Sequence, residues 1–177
     1  MNRNSKYNRV LLSAASIVKK QGVERLTLEA VAKKAGISKG GLLYHFPNKE
    51  LLLEGMVKYM TGDFVHSLQE RINSSSHDRG KWSRAYIQQT VEDINKDNGI
   101  SEALIVAMFA NPELLLEMQT HYAQWQQYFV QDGIDPVQAT MVRLIADGLW
   151  FSEVFGLGKI DEALRNQILE KAIQLTK

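Results

Sequence analysis

Leu26-Thr27-Leu28-Glu29-Ala30-Val31-Ala32-Lys33-Lys34-Ala35-Gly36-Ile37-Ser38-Lys39-Gly40-Gly41-Leu42-Leu43-Tyr44-His45-Phe46-Pro47-Asn48-Lys49-Glu50 is the stretch that decides the fold. Thr27 offers a hydroxyl to an orphan amide at the start of a helix, and Glu29 in the first turn suits the helix dipole. Leu28, Val31, Ala32 and Ala35 recur on one face of that short helix. Gly36 ends it, Ile37 is an apolar plug, and Ser38 caps a third helix running to about residue 44. Phe46-Pro47 breaks the chain, because the residue before a proline is pushed out of the helical region. Asn48 then caps a fourth helix, with Leu51, Leu52, Met56 and Tyr59 on its expected buried side.

Upstream, residues 4–21 read as a first helix with Val10, Leu11, Ala14, Ile17 and Val18 on one face and Gly22 as its stop. Three short helices in residues 1–47, with a glycine-containing turn between the second and third, form the pattern of a helix-turn-helix. In that pattern the second helix lies across the DNA backbone, while the third presents its outer face to the major groove. Leu42 is the inward anchor of the third.

Charge agrees with this division. Residues 1–49 carry ten Lys/Arg against two Asp/Glu, a net +8; residues 50–177 carry eleven against eighteen, a net −7. The whole-chain value of +1 hides this asymmetry, which points to a polyanion as partner of the first segment.

Residues 26–50 resemble the DNA-binding signature of the tetracycline-repressor (TetR) family, with Ser-Lys-Gly, Tyr-His-Phe and Pro-Asn-Lys-Glu at the family's offsets. The resemblance is close over about the first 55 residues. It implies phosphate contacts from Thr27, Tyr44, His45 and Lys49, and base-edge contacts from Ser38, Lys39, Gly40 and Leu43. Lys39 is the strong direct reader among them, since an ammonium donates to guanine O6 and N7. Gly41 and Leu43 depart from the Thr and Tyr common in the family, so little side-chain readout remains and DNA shape carries part of the specificity.

Beyond the fourth helix (48–73), Asn73-Ser74-Ser75-Ser76-His77-Asp78 reads as a loop. Helices are expected over about 79–96 and 100–110, then from Pro112, from Pro136 to about 155, and from Asp161 to about 175. The expected fold is all-α, a nine-helix architecture with a helix-turn-helix domain at 1–47 and a helical ligand-binding and dimerisation domain at 48–177. Val137, Met141, Leu144, Gly148, Phe151 and Phe155 form one apolar stripe, and Leu164, Ile168, Leu169 and Ile173 another. Together they suit a four-helix bundle between two copies, the homodimer that the family resemblance also implies. Trp82, Tyr86, Met108, Phe109, Met118, Tyr122, Trp125, Tyr128 and Trp150 concentrate in the middle helices. There the family encloses an effector cavity, so they are candidates to line a pocket for a small apolar or aromatic molecule.

The function expected is a sequence-specific transcription regulator, a repressor released from a palindromic operator on double-stranded DNA by an inducer. An architectural or cell-division DNA-binding protein of the same fold shares every N-terminal feature. A metal-dependent helical enzyme has Glu117 with His121 as its best constellation, but two ligands are too few, and no HExxH, nucleophile elbow or phosphate loop appears. No metal or cofactor is expected. There is no cysteine, no run long enough to span a membrane and no secretory signal, which places the expected site of action in the cytoplasm.

Overall fold

The computed structural model describes residues 3–96 and 111–177 together with Ser101, Ile105 and Met108; of residues 3–5 it describes the backbone. Among these residues there are eight α-helices and no strand: α1 (Arg3–Gln21), α2 (Leu28–Ala35), α3 (Lys39–Leu43), α4 (Lys49–Ser74), α5 (Lys81–Lys96), α6 (Pro112–Val130), α7 (Pro136–Phe155) and α8 (Glu162–Gln174). A single 3-10 turn, Val23–Arg25, separates α1 from α2. All-α is therefore the class. Of the helix expected over 100–110, Ser101, Ile105 and Met108 are described and helical, and the rest lies outside the described residues, which leaves eight helices against the nine expected.

The helix starts follow from capping. Thr27, Ser38, Asn48, Asp135 and Asp161 each accept a hydrogen bond from a first-turn amide, at 2.8–3.1 Å. Pro136 follows its cap at the first helical position, where a missing N–H costs nothing.

The chain divides into two compact units. The first comprises Met1–Asp63 and Asp97–Glu117. Its core gathers Val10, Leu11, Ala14, Ile17 and Val18 from α1, Val31, Ala32 and Ala35 from α2, Leu42 from α3, and Leu52, Leu53, Met56 and Val57 from α4. Here the inward stripe of α4 differs from the expected one. Leu51 is 41% exposed, while Leu53 and Val57 are buried. One residue is about 100° of helix, so Leu51 and Leu53 cannot both flank Leu52 toward the same core, and the core lies on the side of Leu53.

The second unit comprises Phe64–Lys96 and Met118–Lys177. Its core combines Leu68 and Ile72 of α4, Ala85, Tyr86 and Ile87 of α5, Trp125 and Phe129 of α6, and Ala139, Val142 and Ala146 of α7. Asp132 locks the start of α5: its carboxylate accepts from the Trp82 and Ser83 amides at 2.9 and 2.8 Å and from the Ser83 hydroxyl at 2.7 Å. Among the described residues no helix is long and apolar enough to cross a membrane.

Candidate nucleic-acid interface

The turn between α2 and α3 is built on Gly36, which adopts φ 63°, a conformation that carries little penalty only for glycine. Its amide and that of Ile37 return to the carbonyls of Lys33 and Ala32 at 3.3 and 3.1 Å, closing α2. Ser38 then restarts the chain as a helix cap, its Oγ accepting from the Gly41 amide at 3.1 Å. Leu42 is fully buried and fixes α3 to the core, so Ser38, Lys39, Gly40 and Gly41 are left on the outer side, all exposed.

The fold has no need of glycine at position 40. A Cβ there would meet nothing within 4 Å, and at Gly41 it would meet only the Ser38 hydroxyl at 3.1 Å. The side chains missing from this surface leave the backbone of α3 open to close approach.

The other candidate contacts sit around α3 with differing freedom. Thr27 uses its oxygen to accept from the Ala30 amide at 3.1 Å, which leaves its hydrogen as a donor. Tyr44 is 70% exposed, whereas Leu43 and His45 are half-buried. His45 lies 5.2 Å from the Tyr44 ring and 6.1 Å from Tyr7, and Tyr7 in turn lies 5.0 Å from the buried Phe46. Burial pushes the Tyr7 phenol above its ordinary range. Lys49 turns toward the 3-10 turn and donates to the Val23 carbonyl at 2.9 Å, which occupies one of its three hydrogens. Lys39 is ion-paired with Glu29 across the turn, and its hydrogen bond holds the Glu29 carboxyl below the usual carboxylate range.

Of the aromatic residues proposed to line a pocket, Tyr86 and Trp125 are buried in the second unit, and Trp82, Tyr122 and Tyr128 pack against its core. Trp82 stacks on Tyr128 at 4.4 Å, and Trp125 stands 5.5 Å from Phe64 and 5.9 Å from Tyr86. Met118 and Trp150 are half-buried in the same unit. Met108 belongs to the first unit, and Phe109 lies outside the described residues. A polar cluster inside this aromatic set escaped the sequence reading. Tyr86 and Tyr122 both donate to Asp147 Oδ1, at 2.7 and 3.2 Å, and Arg143 faces Oδ2 at 3.3 Å. Burial pushes the Asp147 carboxyl up and, with the nearby carboxylate, moves the Tyr122 phenol to about 12. The only sequence signal was one acid inside the apolar run Leu144-Ile145-Ala146-Asp147-Gly148-Leu149.

On α7 the two faces separate. Ala139, Val142, Ala146 and Leu149 are buried in the second unit, while Val137 (67%), Met141, Leu144, Gly148, Phe151 and Phe155 are exposed. On α8, Leu164 is exposed, and Ile168, Leu169 and Ile173 are half-buried. His121 packs on Trp125 at 5.8 Å, Glu117 is exposed, and among the described residues no three ligand side chains gather to hold a metal ion.

Residues 10–56 match the family described as "Bacterial regulatory proteins, tetR family", and residues 80–177 match "Tetracyclin repressor-like, C-terminal domain". The nucleoid occlusion factor SlmA of Haemophilus ducreyi is 28% identical over 115 residues, covering 62% of this chain and 55% of that protein. The chain thus spans less than two thirds of the length of this curated relative. The same fold occurs in a TetR family transcription regulator from Marinobacter aquaeolei, at a TM-score of 0.70 and 16% identity over 97% of this chain and 95% of that one. It occurs again in the SmeT–triclosan complex, at a TM-score of 0.64 and 20% identity over 96% and 90%.

Proposed function

The chain belongs to the TetR family of DNA-binding transcriptional regulators, and from that premise we propose that it acts as a homodimer on a palindromic operator and is released from it by a small apolar or aromatic effector. One observation carries the reading. The first turn of α3 stands outward around a fully buried Leu42, within the segment of net +8, and Gly40 is a glycine the fold does not require. In this reading Ser38, Lys39, Gly40 and Leu43 face base edges, while Thr27, Tyr44, His45 and Lys49 hold phosphates. The exposed stripe of α7 with α8 is the dimer face, which sets the half-site spacing at about one turn or a multiple of it, ~34 Å each.

The effector belongs to the second unit, where the aromatic side chains and the Tyr86–Asp147–Tyr122 cluster offer apolar surface with a few directed polar groups. SmeT, which shares the fold, binds triclosan. A ligand that favours one placement of the two DNA heads changes half-site spacing and releases the operator.

The similarity to SlmA favours a second reading, a DNA-binding protein of nucleoid occlusion that needs no effector. Selection of bound sequences from random duplex DNA, at near-physiological salt, decides between them in two steps. Enrichment of one palindrome supports a dimeric sequence-specific protein, and a screen for small molecules that release that duplex then tests the effector. Salt-sensitive binding without enrichment would sink the operator reading.

A further inference from the structure

Glu29 is out of place by charge. Residues 1–49 contain only two acids, Glu24 and Glu29, against ten Lys/Arg, and a carboxylate at a surface that meets phosphate costs affinity. Yet Glu29 stands in the first turn of α2 and is ion-paired with Lys39, the first residue of α3. The two side chains are 63% and 59% exposed, so the pair lies on the outer surface and adds little to stability. The helix dipole favours an acid in this turn, but it does not account for the pairing with Lys39 across to α3.

Resting on the reading of α3 as the DNA-contacting helix, we propose that Glu29 is a specificity-determining positioning residue: it keeps Lys39 as a reader of base edges and withholds it from phosphates. The stereochemistry of an ammonium allows this. Lys39 has three hydrogens; one bonded to Glu29 leaves two, the number that guanine O6 and N7 accept together. A phosphate approaching the same ammonium meets the Glu29 carboxylate at once, and like charges repel. A guanine edge carries no net charge, only the partial charges of O6 and N7, so the repulsion it meets is weaker. The pair thereby weakens binding to arbitrary DNA more than binding to a site with guanine opposite Lys39. Specificity is the difference between those two affinities, and a built-in repulsion against the wrong partner raises it.

The test compares full-length wild type, Glu29→Gln, Lys39→Ala and the double variant on two duplexes, one selected by the wild type from a random library and one of scrambled sequence. Glu29→Gln keeps the size of the side chain and removes its charge. The expected result is severalfold tighter binding of the scrambled duplex at low salt, with a dependence of log K on log salt steeper by about 0.9, the signature of one more phosphate contact. The selected duplex changes by less than twofold, so the specificity ratio falls. In the Lys39→Ala background the steepening disappears. The same steepening in both backgrounds would overturn the proposal, because Glu29 would then act as a general repulsive charge. An unchanged specificity ratio in Glu29→Gln, with the wild type still specific, overturns the role of Glu29 alone. Failure of the wild type to select any duplex overturns the DNA reading of α3, and this proposal with it.

Discussion

Gly55 of α4 lies against the ring of Phe46, so closely that a Cβ at position 55 would stand 2.6 Å from Phe46 Cε1 and 3.1 Å from the Tyr7 hydroxyl. Phe46 is 3% exposed and cannot swing into solvent without opening the core. The absence of a side chain at 55 is what lets α4 seat on the segment that follows α3, two residues after Tyr44.

Gly55→Ala therefore has two opposed effects. Helix propensity gains up to about 1 kcal/mol, and overpacking a buried ring costs about 1–3 kcal/mol. The overpacking is expected to win. A chemical denaturation series should show a net loss of about 1 kcal/mol, accompanied by weaker DNA binding if His45, a proposed phosphate contact, is displaced with its neighbour Phe46. A rise in stability would mean that the ring yields without loss of packing.

The stripe on α7 predicts a change in assembly without a change in fold. Leu144 and Phe151 are 55% and 50% exposed, so replacing both by Glu should alter the stability of a single chain by no more than about 0.5 kcal/mol per site. Sedimentation of the double variant is expected to give a monomer with wild-type helicity, and its affinity for a palindromic duplex should fall by tenfold or more as the second half-site is lost. A dimer that persists would place the interface elsewhere.

What was legible in the sequence is what is encoded locally. The caps at Thr27, Ser38, Asn48, Asp135 and Asp161 each act within three residues of themselves, and each fixed a helix start that the structure repeats within one or two residues. Leu51 was misplaced because a continuous run of three leucines gives no phase of its own; packing in the core of the first unit chose Leu52 and Leu53. Asp147 was invisible as part of a site because its partners, Tyr86 and Tyr122, are 61 and 25 residues away. The Glu29–Lys39 pair also joins two separate helices, ten residues apart across the turn.

Asp147 predicts a pH dependence of stability. Burial raises its carboxyl above the ordinary value of 3.8, so folding shifts its titration toward the neutral form. In the window between the unfolded value and the raised folded one, the folded state binds more protons than the unfolded state. The contribution is fully present below about pH 3.8 and is lost as pH rises through the folded value. Asp147→Asn cannot titrate. The stability of the wild type relative to this variant should therefore decline as pH is raised from just below 4 toward neutrality. A difference that stays flat, or grows with pH, would mean that Arg143 outweighs burial and lowers the carboxyl instead.

Lys49 tethers the fold and is a proposed phosphate contact, and two readouts of one replacement tell these roles apart. Its ammonium donates to the Val23 carbonyl at 2.9 Å and ties the first turn of α4 to the 3-10 turn, while two hydrogens remain for a phosphate oxygen. Lys49→Met keeps most of the apolar stem and removes both interactions. Loss of a partly buried hydrogen bond to a charged group should cost about 1–2 kcal/mol, read as a lower denaturation midpoint. Loss of one phosphate contact should weaken binding to every duplex alike and reduce the salt slope by about 0.9. Both changes together are the expected outcome. A lower midpoint with an unchanged slope would make Lys49 a tether between α4 and the 3-10 turn and nothing more, and would leave Thr27, Tyr44 and His45 to hold the backbone on their own.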